Sequence, residues 1–342
     1  MNSVFLQNDE ELPFCYKSLN ASCIKVMRSA SAKVPAYFAC VLGMLITIFG
    51  NLMVVVSVAH FKALHSPTNF LVLSLAVADF LLGVLVLPFS TVRLVETCWY
   101  FGDDFCRLHT CLDTIFCLVS IFHLCFVSFD HYCAICHPLL YPTKVTIPVV
   151  CAYIVVGWVV SVIYTSAWLY SDVLMITMGH LMTEDYCIGS CQLVFNKIWG
   201  WINFPVFFVP CFIMIGLYIK IYLVSRKQRR IIENVCESYQ SRTDTKVSKR
   251  ERKAAKTLGI AVGIYLFCWL PFMIDTLIDP FLNFSTPPLL FDILIWFAYF
   301  NSACNPIIYG FFYPWFRKSL KLTVTFKIFY SGSSLINLYQ EK

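Results

Sequence analysis

Seven apolar runs, each of about twenty residues or more, follow one another along the chain with short polar stretches between them. About 20 apolar residues cross a bilayer at ~1.5 Å rise per residue. The pattern therefore predicts helical spans near residues 35–60, 68–94, 104–134, 148–170, 196–224, 252–279 and 288–312. The expected fold class is an all-α membrane protein, a seven-transmembrane helix bundle that leaves no room for a sizeable soluble domain. Residues 1–33 form an N-terminal segment, 34–312 the membrane domain and 313–342 a tail. Within the tail, Tyr313 to Lys327 puts Phe316, Leu320 and Val324 on one helical face and Arg317, Lys318 and Lys321 towards the other. This predicts a short amphipathic eighth helix on the membrane surface, with Trp315 and Phe316 as its anchors in lipid. The polar stretch from Ser225 to Glu251 reads as the longest inner connection and the most mobile. Pro88, Pro210, Pro271 and Pro306 fall inside spans, where each removes a backbone hydrogen bond and can kink its helix.

Composition agrees with the pattern. Of 342 residues, 59% are apolar and only 13% charged, about half the charged share of a soluble domain, which excludes a soluble enzyme. Charge then sets the orientation: of 26 Lys and Arg, 19 fall in the segments expected inside, among them Lys62, Lys144, Lys220 and the cluster from Arg226 to Lys256. The N-terminus is expected outside. The net charge of +6 faces anionic membrane lipid or an acidic partner surface, and with no soluble reading domain it does not point to nucleic acid. Asp9, Glu10 and Glu11, with no basic start and short apolar core, speak against a cleaved signal peptide. Asn20-Ala21-Ser22 is a glycosylation sequon on the expected outer side, and Asn283-Phe284-Ser285 is a second one close to the membrane.

Ionisable side chains inside a span cost ~2.5–3.5 kcal/mol on insertion scales, so Asp79, Asp113 and Asp275 each ask for a partner or a role. Asp113 follows Cys106 by seven residues, about 10 Å below the outer surface: deep enough to be desolvated, shallow enough to be reached. A carboxylate there suits a ligand with one positive charge. Trp269 and Phe272 share a face of the sixth span and Trp296 and Tyr299 a face of the seventh. Turned inward, such rings attract alkylated ammonium groups by about 0.5–2 kcal/mol each. The candidate ligand set is Asp113, Thr114, Cys117, Trp269, Phe272, Trp296 and Tyr299. Asp79, with Asn51, Ser120, Asn301, Ser302 and Asn305 at similar depth, reads either as a small-cation site or as interhelical hydrogen bonding.

Six cysteines lie at the expected outer side: Cys15, Cys23, Cys98, Cys106, Cys187 and Cys191. An oxidising compartment pairs them, but six cysteines allow 15 connectivities. The other cysteines read as small buried hydrophobes. The chain carries no phosphate loop, no zinc-ligand motif and no nucleophile elbow, so no enzyme, cofactor or metal is expected. The seventh span also lacks a lysine for a retinal Schiff base.

Asn51, Leu75-Ala76-Val77-Ala78-Asp79, Asp130-His131-Tyr132, Trp158, Cys268-Trp269-Leu270-Pro271 and Asn305-Pro306-Ile307-Ile308-Tyr309 stand in order across the whole membrane domain. They resemble the motifs of rhodopsin-like G-protein-coupled receptors, and Asp113 matches the amine-binding aspartate of the aminergic branch. Asn301 to Tyr309, Lys253 to Gly259 and Cys98 to Gly102 are similar to stretches of the trace amine-associated receptors. The resemblance implies an olfactory receptor in the plasma membrane for volatile amines, with tertiary amines such as trimethylamine leading. It further implies a heterotrimeric stimulatory G protein as partner and cyclic AMP as output. It suggests disulfides Cys106–Cys187 and Cys23–Cys191. It assigns the activation switch to Asp130, His131, Tyr132, Tyr218, Glu251, Pro271, Asn305, Pro306 and Tyr309.

Local chemistry agrees on the ligand: Ile202, Asn203 and Val206 stand in the fifth span where catecholamine receptors carry serines and diamine-binding relatives an aspartate. One position departs from the family. His131 replaces the arginine that pairs with the acidic residue matching Glu251 in the silent state and reaches towards Tyr218 in the active one. Imidazole is shorter, lacks the five-donor fork and is mostly neutral near pH 7. Weaker coupling is the expectation. A serotonin- or histamine-like receptor and an amine transporter are the rival functions. The odd number of spans and the missing internal repeat weigh against the transporter.

Overall fold

The computed structural model describes residues 14–17, 21–169, 187–191, 197–236, 242–282 and 285–338. Seven long helical spans form a closed bundle: Ala30–His60; Pro67–Leu85 continued by Leu87–Glu96; Asp103–Cys136; Ile147–Leu169; Lys197–Cys236; Arg242–Ile278; and Pro288–Phe312. The third span packs on the second, fourth, fifth and sixth, so it is the axis of the bundle, and the first closes the ring against the second and seventh. Among the described residues six helices are long and apolar enough to cross a membrane. The seventh is 25 residues long but dilutes its apolar face with Asp292, Asn301, Ser302 and Asn305, all buried inside the bundle.

Local chemistry sets the breaks. The second span opens on Pro67 behind Ser66, whose hydroxyl accepts from the Asn69 amide at 3.4 Å. It is interrupted at Val86 (φ −114°, ψ −53°), because Pro88 has no N–H to continue the ladder. Close helix contacts rest on missing side chains. A Cβ on Gly50 would stand 2.5 Å from Pro306 Cγ, so only glycine lets the first span seat against that proline.

The structure corrects two expectations at the charged end. Ser225 to Glu251 is not a loop throughout: the fifth span runs on to Cys236 and the sixth starts at Arg242. The stretch holds neither Gly nor Pro and is rich in Lys, Arg, Gln and Glu, good helix formers that need no apolar partner in water. The eighth helix, Pro314–Val324, forms as expected, but Trp315 and Phe316 are each only 4% exposed. They pack on Val54, Val58, Phe61 and Leu64 rather than facing lipid. Ile328 and Leu338 join the same cluster. Ser57 pairs with Ser319 at 2.8 Å and His60 with Ser333 at 2.9 Å, which ties the tail to the first span.

At the opposite end three disulfides form: Cys15–Cys98, Cys23–Cys187 and Cys106–Cys191. The pairs suggested by the resemblance, Cys106–Cys187 and Cys23–Cys191, are thus exchanged. The backbone explains it. The Cys23 amide donates to the Ile188 carbonyl at 3.0 Å and the Ile188 amide to Ala21 at 2.7 Å, which seats Cys187 beside Cys23. Four residues on, Cys191 lies over the second and third spans, where its carbonyl accepts from Arg93 at 3.4 Å. Asn20 and Asn283 lie outside the described residues.

Candidate functional site

Below the disulfide-bonded end the third, fourth, fifth, sixth and seventh spans enclose a cavity of about 130 Å³. For scale, an engineered cavity of about 150 Å³ holds benzene. Asp113, Thr114, Cys117, Trp269 and Phe272 line it, as expected from sequence. Tyr299 is 2% exposed and donates its hydroxyl to Asp113 Oδ2 at 2.7 Å, and the Cys117 thiol donates to Oδ1 at 3.4 Å. The Thr114 hydroxyl is spent on the Thr110 carbonyl at 2.9 Å, so Thr114 offers the cavity mainly its methyl group. Among the described residues Asp113 has no ion pair.

Rings wall the rest. Trp269 meets Phe272 edge-on at 6.3 Å and Phe207 at 6.3 Å, and it stacks on Tyr265 at 6.1 Å; Phe272 meets Phe291 at 5.4 Å. Trp296 is not part of this wall. Three residues advance a helix by about 300°, which turns Trp296 some 60° from Tyr299. Its indole N–H donates to the Ser90 carbonyl at 3.4 Å while its ring supports Tyr299 edge-on at 5.8 Å. Sequence reasoning missed Tyr265, Phe207, Phe291, Tyr164 and Arg93, all in the wall. Tyr265 precedes Trp269 by four, and same-face spacing finds it. Arg93, counted as an outer charge, reaches inward because the second span bends at Val86. It is Asp292 Oδ1, 3.8 Å from Nε, that faces its guanidinium.

Deeper in the bundle Asp79 is wholly buried. It accepts from Ser120 at 3.1 Å, Ser302 at 2.7 Å and Asn305 at 2.7 Å. Asn301, expected in that shell, is buried but makes no hydrogen bond to Asp79; Asn51 instead reaches the Ser302 carbonyl at 3.1 Å.

At the charged end Asp130 accepts from Thr68 at 2.7 Å and Tyr141 at 2.9 Å, and His131 Nδ1 stands 3.3 Å from it. Burial, and then the Asp130 carboxylate, push the Tyr141 hydroxyl well above its ordinary pKa, so it stays a neutral donor. Tyr132 pairs with His137 at 3.3 Å. The Glu251 side chain lies outside what the structure describes. Tyr218 lays its ring on the backbone of the sixth span at Gly259, where any Cβ would collide with it. Pro271 lies inside that same span about three turns nearer the cavity, and Tyr309 packs on Tyr313 at 5.8 Å and Phe316 at 6.4 Å.

A bundle that keeps one accessible carboxylate in a ring-lined cavity at one end, and a carboxylate–histidine motif with a basic surface at the other, has the layout of a membrane receptor. The family comparison agrees: the model of the 7 transmembrane receptor (rhodopsin family) matches residues 50–309. In an alignment of 343 positions that covers all of both chains, the sequence is 57% identical to trace amine-associated receptor 5 of Homo sapiens and to that of Mus musculus. It is 48% identical over 330 residues to trace amine-associated receptor 7f of Mus musculus, covering 96% of this chain and 92% of that protein. The chain belongs to the trace amine-associated receptors, a group of the rhodopsin-family G-protein-coupled receptors, and is a multi-pass membrane protein and no enzyme.

Proposed function

We propose that the chain is an amine receptor of the olfactory type, seated in the plasma membrane with its disulfide-bonded end outside. Its ligand is a small methylated ammonium ion, trimethylamine being the leading candidate. The observation that carries this is the Asp113 carboxylate, held towards a ring-lined cavity by Tyr299 and without an ion pair among the described residues. The ammonium group bonds Asp113, and its methyl groups lie against Trp269 and Phe272. Val206 and the Tyr164–Asn203 pair, bonded at 2.9 Å, offer neither the serines a catechol needs nor a second carboxylate for a diamine.

Binding shifts a helix equilibrium only as far as the ligand prefers one state. Moving from 1:99 to 99:1 takes about 5.5 kcal/mol of differential affinity. A charge pair of ~4 kcal/mol at an effective dielectric of 20 and the cation–π contacts count towards that only as far as they are closer in one state than in the other. The sixth span hinges at Pro271, slides Gly259 past the Tyr218 ring and opens the charged end to a stimulatory G protein, which raises cyclic AMP. Asp79, with the hydroxyls of Ser120 and Ser302, offers oxygen donors suited to a small hard cation, and no step above runs through it. The test is Asp113→Ala: amine-evoked cyclic AMP disappears while surface expression persists, and an undiminished response refutes the assignment.

A further inference from the structure

We propose that Arg93 is a second anchor of the amine cavity, and that among methylated amines longer than trimethylamine those held best carry a neutral oxygen acceptor, an ether or carbonyl, at the end remote from the ammonium group. This rests on the amine reading of Asp113. Arg93 lines two spaces at once. One is the cavity around Asp113; the other is a vestibule of about 910 Å³ above it, roofed by the N-terminal segment and the disulfide-bonded loops. Its side chain is 13% exposed, so its five N–H donors have little access to water. They are poorly used: one reaches the Cys191 carbonyl at a long 3.4 Å, and Nε has no hydrogen-bond partner among the described residues. Asp292 Oδ1 lies 3.8 Å from Nε, near enough to neutralise it and too far to accept from it, and has no hydrogen bond among the described residues.

A buried donor left unsatisfied is costly, so an oxygen delivered by the ligand makes a hydrogen bond that no described residue supplies. Asp292 also decides which oxygen. It already balances the guanidinium charge, and a ligand carboxylate would bring a second anion against it. A neutral acceptor adds a hydrogen bond with no such repulsion. Size agrees: a cavity of about 130 Å³ takes a ligand near benzene in bulk, and Asp113 and Arg93 both line it.

The experiment compares two isosteres, N,N-dimethylbutylamine and N,N-dimethyl-2-methoxyethylamine, which differ by one CH₂ exchanged for oxygen. The full-length receptor in lipid nanodiscs is melted over a concentration series of each, which yields apparent affinities without a G protein. The expected result is about tenfold tighter binding of the ether, the worth of one hydrogen bond to a charged donor. In the charge-neutral double variant Arg93→Met/Asp292→Asn the ratio falls to near one; in Asp292→Asn alone, which frees the guanidinium, it rises. A ratio near one in the parent receptor, as when a bound water already satisfies Arg93, overturns the proposal. So does a ratio that survives in the double variant. Absence of protection by both compounds in the parent receptor overturns the amine reading itself.

Discussion

Replacing Tyr299 by Phe removes a single oxygen and leaves the ring in place against Trp296. The deleted hydroxyl is the donor 2.7 Å from Asp113 Oδ2, and the other contact of that carboxylate, the Cys117 thiol, is weak at 3.4 Å. The Tyr299 bond exists before and after an ammonium ligand arrives, so most of its strength cancels from the affinity. What is lost is positioning: the carboxylate becomes free to rotate and must be ordered on binding, at ~0.5–1.5 kcal/mol. The expected result is about two- to tenfold weaker binding. Asp113→Ala removes the charge pair itself, worth ~4 kcal/mol at 4 Å and an effective dielectric of 20, or about a thousandfold. Competition binding on membranes expressing each variant separates the two scales. If Tyr299→Phe proves as severe as Asp113→Ala, the hydroxyl contacts the ligand directly and the positioning argument is wrong.

Three further outcomes are expected. His131→Arg raises cyclic-AMP output per surface receptor, since the fork of donors can grip acidic and tyrosyl partners that imidazole cannot; equal output with either residue removes the concern about coupling. Cys98→Ser leaves the half-buried Cys15 as a free thiol, so a cell-impermeant maleimide labels that variant at Cys15 and not the parent, whereas an unlabelled variant contradicts the pairing. Glu96, at the disulfide-bonded end beyond the apolar part of its span, is held down to about 2 by hydrogen bonds, first from Lys33 and then from Lys25 and Tyr37. A carboxylate depressed on folding stabilises the fold above its unfolded value of 4.5 and stops doing so as pH falls from there towards 2. The melting temperature of the parent is expected to drop across that window and that of Glu96→Gln to drop less; parallel curves would show that the Lys33–Glu96–Lys25 cluster does not carry the effect.

The spans were legible because lipid enforces them: an apolar run of sufficient length has few other uses, and their positions follow the hydropathy to within a few residues except where water takes over. The extension of the fifth helix to Cys236 escaped notice because a solvated helix of Lys, Arg and Glu has no apolar period to read. Asp113, Trp269 and Phe272 were legible through a charge that needed a reason and through spacing along one helix. Arg93 was not, since its place in the cavity depends on how the second helix bends at Val86, a fact of tertiary packing. The cysteine pairing failed for a similar reason: Cys187 and Cys191 are four residues apart, and only the hydrogen bonds of Ile188 decide which one faces Cys23. Trp296 shows the limit of spacing rules, because a position 60° off the inward face still reads as the same face.

The way Ile328 and Leu338 close over Trp315 and Phe316 bears on how the protein is handled in the laboratory. Trimming the C-terminus at Thr325, where the last long helix ends, would strip a hydrophobic cover and leave two aromatic rings to stick to detergent or to each other. Tags and reporters for imaging belong after Leu338, where they leave this seal intact.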